Sequence, residues 1–373
     1  MSGDPGTAHF SPDWSEDIAD EWAALSRHAK HFRQTPAWVS GIPSHVAMYA
    51  PESQLEWFCY DDGRGSRAAM VFRRSSARLF GGISLNILRP VSRHGFVLSD
   101  ALMTPEVDIA KLAAIFQRTR LAHGSPWHIL ELARLRETSQ LLEMCRVMRG
   151  VLIEVEPDGG VAMFDTSRDY VDWEQSLSAK RRDTLRYARR RIKNEGNAHR
   201  ISAKLPEDVD EAFDDFVALE NSGWKREGGA LAGESGDREI LRSLIVSLAK
   251  TGDAGVEQLY LGRHLIGAYL WTRLGSTMFW LKTAYSEKYS HLSPGVVLLS
   301  DLMERCCTDP RIARIDCVSN AKWVLYWGAR MDETYRASAL NSHTLLGSLG
   351  ILRRWLRGKK PARTAGGQSS VPL

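Results

Sequence analysis

Residues Trp280–Met303 read WLKTAYSEKYSHLSPGVVLLSDLM, a strand-forming run that breaks at a turn and resumes as an apolar helix. Thr277 to Ala284 alternate as a half-buried strand does, and Val296 to Met303 form a compact apolar helical stretch. Between them, Ser293-Pro294-Gly295 supplies a capping hydroxyl, a proline suited to a first helical turn, and a glycine. A helix begun in this way turns unpaired amides and the positive end of its dipole toward whatever precedes it, which is a site for phosphate oxygens. Gly295 lets a bulky diphosphate reach the backbone. The same three residues also suit an ordinary helix capped by Ser293.

Outward from this stretch, the second half reads as strand His199 to Leu205, helices Pro206 to Trp224 and Asp237 to Thr251, and strands 255–261, 265–273 and 277–284. The helix from Pro294 to Cys307 and a strand from Ile312 to Val318 follow. The first half has the same grammar: helix Trp14 to His31, short strands at 56–60, 68–72 and 77–80, helix 109–123, then strands 128–132, 151–155 and 161–165. Tyr170 to Glu195 reads as one long helix stopped by Gly196. Helices after one strand, then an antiparallel meander, then a helix crossing to a further strand predict an α+β fold with a mixed, largely antiparallel sheet flanked by helices. The expected divisions are a disordered tail at 1–15, an N-terminal domain at 16–168, a basic connecting helix at 169–197, a C-terminal domain at 198–343, and a basic amphipathic helix with disordered tail at 344–373.

With 373 residues, 25% charged and a net charge of +4, the chain suits two domains and lacks the overall charge of a dedicated nucleic-acid binder. The five cysteines, at 59, 145, 306, 307 and 317, are odd in number and form no C-x-x-C pair, which fits a reducing cytoplasm and no metal. The acidic N-terminus does not read as a secretory leader, and no window is long and apolar enough to span a bilayer. No nucleophile elbow, P-loop, H-E-x-x-H or complete dinucleotide fingerprint occurs.

Four ordered blocks carry a family resemblance: LSAKRRDTLRYARRRIKNEG, LENSGWKREGGAL, IGAYLWTRLGSTMFWLKTAYSEKYSHLSPGVVLLSDLM and RIDCVSNAKWVLYWGA. Over residues 20 to 345, and most from 173 onward, the chain resembles the GNAT superfamily in its FemAB-like, CelD/BcsL branch, associated with bacterial exopolysaccharide and cell-envelope genes. The resemblance implies tandem GNAT-like domains and an acyl-CoA-dependent N-acyltransferase, with acetyl-CoA as donor and an amino sugar or polysaccharide precursor as acceptor. It places the donor on Ser293, Pro294, Gly295, Val296 and Val297, although S-H-L-S-P-G lacks the leading Gln/Arg and first glycine of the generic phosphate loop. Tyr326 takes the place of the tyrosine that protonates the departing thiolate, or packs beside Trp323 and Trp327. Glu220, Asp316 and His291 are candidate bases, Glu220 being favoured beside an acceptor cleft bordered by Trp224 and Lys225. Lys282, Tyr285 and Tyr289 complete the substrate assignments. Lys282 is expected to share a sheet face with Trp280 and Ala284, and as a strand lysine it also suits a snorkelling side chain.

Arg182, Arg186, Arg189 and Lys193 fall on one helical stripe able to meet a row of phosphates or to be simply solvated. A sugar nucleotide, tRNA or the anionic inner membrane surface would fit it, and the Ile351–Arg357 segment with Lys359 and Lys360 suits weak peripheral membrane contact. A cyclic dinucleotide regulator is a weaker expectation. Besides acyl transfer, two readings stay open: aminoacyl transfer from tRNA to a peptidoglycan precursor, and a degenerate scaffold regulating polysaccharide synthesis.

Overall fold

Alternation in the strands buries one residue in two on each face, and helices cover both faces of the resulting sheet. The computed structural model describes residues 7–78, 84–91, 100–149, 151–222, 231, 237–341 and 343–344. The first half runs β1 (Thr7–Ser11), α1 (Glu16–Leu25), α2 (Pro36–Val39), α3 (Ile42–Tyr49), β2 (Gln54–Asp61), β3 (Arg67–Arg78), β4 (Ser84–Arg89), β5 (Leu102–Met103), α4 (Ile109–Arg118), β6 (Ile129–Arg136), α5 (Gln140–Val147) and β7 (Val151–Asp165). The second runs α6 (Tyr170–Ser176), α7 (Ala179–Asn194), β8 (Ala198–Ala203), α8 (Pro206–Asn221), α9 (Asp237–Ala249), β9 (Ala254–Leu261), β10 (His264–Leu274), β11 (Thr277–Tyr285), α10 (Pro294–Thr308), β12 (Arg314–Asp316) and β13 (Arg330–Asn341).

The strands form a single sheet in the order β1-β2-β3-β4-β6-β13-β7-β12-β11-β10-β9-β8, with β5 beside β3. The two halves repeat one plan. An edge strand is followed by helices and an antiparallel meander, then by a helix that crosses to a parallel strand: β4 with β6 in the first half, β11 with β12 in the second. Their last strands are exchanged. β7 of the first half pairs with β12, and β13 of the second pairs with β6, while β7 and β13 pair with each other along most of their length.

Three buried clusters follow from this arrangement. One lies around Phe58, Phe116 and Trp127 of the first half and takes in Ala337 and Ala339 of β13. Another lies under α7 and α10 in the second half. A third joins the halves, packing Trp22, Phe32 and Trp38 against Phe213, Phe216, Leu241 and Leu281. Each fully buried side chain of this size contributes about 1.5–3 kcal/mol, so the joint core binds the halves firmly.

Several expectations give way. Thr7–Ser11, expected in a disordered tail, is β1, paired along Trp57–Asp61 with Phe10 against Phe58 and Phe116. The single helix expected over 170–195 is two: Leu177 and Ser178 are extended, Leu177 is buried, and the Ser178 hydroxyl accepts the Arg181 N–H to begin α7 afresh. The strands expected at 151–155 and 161–165 are one continuous strand, β7. The segment 198–343 lacks a self-contained last strand, because β13 crosses to the first half. The amphipathic helix expected from Thr344 lies outside the described residues beyond its first position.

Candidate functional site

β11 pairs with β10 from Thr277 to Tyr285, but with β12 only at Thr277, Met278 and Phe279. Beyond Asp316 the chain stays with β7 instead: Cys317 N–H donates to Ala162 O at 2.9 Å and Ala162 N–H to Ser319 O at 2.8 Å. Two parallel strands therefore part at Phe279/Asp316, and among the described residues no strand pairs with the β12-facing edge of Trp280 to Tyr285. Trp280 is the first residue past the split. Its indole is 5% exposed, its Nε1–H has no hydrogen-bond partner among the described residues, and its ring packs edge-on to Trp323 at 5.9 Å.

The start of α10 lies at the end of β11. Chain direction reverses through a 3₁₀ helix, Glu287–Leu292, and then through Ser293, which sits in the left-handed region at φ 55°. That conformation costs a non-glycine residue roughly 1–3 kcal/mol, and its hydroxyl makes no capping bond to the helix. Val296 and Val297 N–H both donate to Ser293 O, at 3.0 and 3.3 Å, and Pro294 has no N–H. Gly295 N–H is left at the helix mouth. The glycine there answers no demand of the protein's own packing: its φ is not positive, and a Cβ would meet only the Tyr285 ring at 3.7 Å. Gly267 on β10 differs, since a Cβ there would approach Leu298 Cδ1 to 2.9 Å, and its absence lets α10 settle onto the sheet. Val297, Leu298 and Leu302 then anchor α10 in the core.

The remaining expected site residues fall into distinct settings. A bulge in β11 at Leu281, where Leu270 faces Lys282 but Trp271 faces Trp280, shifts the pleat. Lys282 and Ala284 consequently lie on the face of the joint core and Trp280 on the α10 face, so the three do not share one side as expected. Lys282 Nζ donates to Glu220 Oε1 of α8 at 2.9 Å, and Leu231 N–H donates to Oε2 at 2.9 Å. Glu220 is 2% exposed, and the structure joins two residues that had been given separate roles. Asp316, buried at the end of β12, pairs with Arg136 of β6 and accepts Val318 N–H at 2.8 Å. Burial pushes its carboxyl above the ordinary range, with Arg136 opposing the shift.

Tyr326 lies on a 3₁₀ helix, Lys322–Trp327, and is 64% exposed with Arg181 5.0 Å from its ring centre. Trp327 turns inward and its carbonyl accepts the Trp173 indole N–H at 2.9 Å. Tyr285 stands beside Gly295, and Tyr289 packs at the edge of the second-half core with Lys288 over its ring. His291 is exposed, and its carbonyl accepts from Arg191 at 2.8 Å. Trp224 and Lys225 lie outside the described residues.

The basic stripe on α7 is divided. Arg182 donates to the carbonyls of Gln175 and Leu177, and Arg189 is held by Tyr170, Glu174 and Ser300, its pKa lowered by burial. Arg186 and Lys193 face solvent, Arg186 beside Asp183 at 3.0 Å. Two residues beyond the expected set belong to the site. Arg191 brings a cation to within two residues of Ser293, and Trp280 brings a buried donor to the strand gap. The sequence carried both, in the basic run and in the strand, but neither run reveals which way a side chain points.

A gap between parallel strands, closed at one end by an uncapped helix start with a glycine, now stands beside a family match. Residues 179–323 match the acetyltransferase (GNAT) domain family. The matched stretch runs from α7 through Trp323 and contains every element of the gap. No curated protein matches the chain in sequence. Among solved structures, FemX is similar with a TM-score of 0.57 at 11% identity, covering 90% of this chain and 98% of that one. The C-terminal domain (DUF2156) of a proposed lysylphosphatidylglycerol synthetase from Agrobacterium fabrum gives 0.53 at 9% identity, covering 90% and 95%. A conserved protein of unknown function from Bacteroides thetaiotaomicron gives 0.53 at 10%, covering 90% and 100%. At such identities the likeness is one of fold, and it agrees with the α+β architecture, a large, mostly antiparallel sheet flanked by helices. No described helix is long and apolar enough to cross a membrane.

Proposed function

We propose that this protein is an acyl-CoA-dependent N-acyltransferase, with acetyl-CoA as donor and an amino sugar or related precursor of bacterial exopolysaccharide or envelope as acceptor. The observation that carries the reading is Gly295: a glycine at the mouth of α10 that neither backbone geometry nor packing requires, next to a left-handed Ser293 whose hydroxyl leaves the helix uncapped. Space and positive potential are thereby kept for diphosphate oxygens, to which Gly295 N–H donates and Arg191 adds charge. The strand gap beyond Phe279 suits an extended amide-bearing chain, because β12 leaves β11 there and the Trp280 indole N–H has no hydrogen-bond partner among the described residues.

An acyl-CoA bound there supplies a thioester whose carbonyl carbon is open to an amine. The protein's part is to align the two, to shed the amine proton and to return one to the leaving thiolate. Tyr326, on the 3₁₀ helix that also places Trp323 against Trp280, is assigned the second task. Glu220 is committed to Lys282 and Leu231, so its role is to hold α8 and β11 in register rather than to accept the proton. Calorimetry with acetyl-CoA tests the reading: binding in the micromolar range, lost in Gly295→Asp, supports it, and absence of binding to the intact protein overturns it.

A further inference from the structure

At the far end of the exchanged strands from the gap, a cavity of about 400 Å³ is lined by Gln117, Arg118, Arg120, Pro126, His128 and His343 among others. That volume is within the roughly 300–1,000 Å³ of small-molecule sites. β13 lies against Met163 at its start, where β12 also pairs, and against Val151 at Asn341, whose side chain donates to Gln117 O and Trp127 O. The run from Arg330 to Asn341, at about 3.3 Å per residue, puts roughly 35 Å between the gap and this cavity.

His128 is built into the lining. It is 5% exposed, its backbone N–H donates to Asn86 O at 2.9 Å, and its Nδ1 accepts Asn86 N–H at 2.9 Å. With Nδ1 an acceptor, the neutral ring carries its proton on Nε2. Burial lowers its pKa, which favours that neutral ring. The Nε2–H has no partner among the described residues and is the ring donor left to the cavity.

The two arginines are not consumed by the helix they end. The terminal carbonyls of α4 are taken by other donors: Ile115 O by Thr119 N–H, Phe116 O by the Trp127 indole and Gln117 O by Asn341 Nδ2, each at 3.0 Å. Arg118 makes no hydrogen bond or ion pair among the described residues, and Arg120 donates only to Gly124 O at 3.1 Å. Acids are absent from these segments, since neither Ile109–Leu130 nor Asn341–Leu373 contains Asp or Glu. Glu56, which accepts Ala122 N–H from the loop after α4 at 3.0 Å, is paired with Arg74. Glu131 is paired with Arg89, and with Glu154 it flanks Ser338 rather than Asn341. Two guanidiniums and a buried N–H around one recess suit a compact group with several acceptor oxygens and two negative charges. None of the exposed large apolar side chains lines the recess, so it lacks the apolar rim of an interfacial lipid contact.

We propose that this cavity binds the phosphate of a soluble phosphomonoester, whose oxygens accept from His128 Nε2–H and from the guanidiniums of Arg118 and Arg120. The site is separate from the donor site and stands whether or not the acyl-transfer reading does.

The test titrates glycerol 1-phosphate into the full chain, wild type and Gly295→Asp, with glycerol and sodium chloride at matched ionic strength as controls. The imidazole NMR signal of His128, assigned by its loss in His128→Gln, should shift saturably in both proteins, and neither control should shift it. Arg118→Met with Arg120→Met, both at exposed positions, should leave the ligand-free Tm unchanged and weaken binding by at least about tenfold. No saturable shift in the wild type, an equal shift with sodium chloride, or unchanged affinity in the folded double variant overturns the proposal. A response lost in Gly295→Asp also overturns it, since the phosphate is then held at the mouth of α10. Cosedimentation with phosphatidate vesicles that needs Arg118 and Arg120, without a response to glycerol 1-phosphate, overturns the assignment to a soluble ligand.

Discussion

Glu220 and Lys282 illustrate how burial decides a residue's role. The Glu220 carboxyl is 2% exposed and accepts from both the Lys282 ammonium and the Leu231 N–H, contacts that are lost on unfolding. Removing one partner leaves the other charge buried without its ion pair, at a cost of up to about 3–5 kcal/mol, while replacing both with apolar groups of similar volume is far cheaper. Glu220→Gln and Lys282→Met should each lower unfolding free energy in urea by an amount in that range, and Glu220→Leu with Lys282→Met should recover most of the loss. Single variants as stable as the wild type would show that the pair does not hold α8 to β11. The sequence showed that both residues border the strand and helix ends concerned. It did not show the bulge at Leu281, which turns Lys282 toward α8, because one extra residue in a strand leaves no mark on its composition.

At the level of elements, α7 separates density of charge from availability of charge. Helical spacing correctly groups Arg182, Arg186, Arg189 and Lys193, yet α6 and α10 pack on part of that stripe and absorb Arg182 and Arg189. Arg189 joins α7 to Tyr170, Glu174 and Ser300, so Arg189→Met should cost about 1–3 kcal/mol through the partners it abandons. Arg186→Ala should stay within about 0.5 kcal/mol. Urea unfolding at low and moderate salt measures both, and equal effects would contradict the division of the stripe. The meander strands and α10 were legible because their apolar periods are strong. The break at Leu177–Ser178 was not, since Leu177 continues the apolar pattern while its backbone turns extended.

The whole molecule is organised by the exchange of β7 and β13. β13 was missed in the sequence because its buried positions are Thr334, Ala337, Ala339 and Asn341, small or polar residues that give no apolar alternation. Ala337, Ala339 and Asn341 alternate on one buried face, and Asn341 Nδ2 is satisfied there by the carbonyls of Gln117 and Trp127 at 3.0 and 3.1 Å. A chain stopped after Ala329 loses the strand between β6 and β7 and should lose cooperative unfolding of both halves, read by near-ultraviolet circular dichroism and urea titration. Survival of a second-half transition would contradict the interlock. The duplicated plan was legible as element order, whereas strand exchange is a matter of which partner lies nearer in space, and nothing local encodes it.

The same architecture sets the strand gap, since β12 leaves β11 in order to follow β7. Whether that gap and the mouth of α10 receive an acyl-CoA is tested most directly by calorimetric titration of acetyl-CoA into wild type, Gly295→Ala and Gly295→Asp, with Tm measured for each. Because a Cβ at Gly295 meets only Tyr285 at an ordinary 3.7 Å, both variants should fold with Tm near that of the wild type. Micromolar binding by the wild type, weakened in Gly295→Ala and lost by at least about tenfold in Gly295→Asp, is the predicted result. A folded wild-type protein that binds no acetyl-CoA, or a folded Gly295→Asp that binds it as tightly as wild type, would contradict the account.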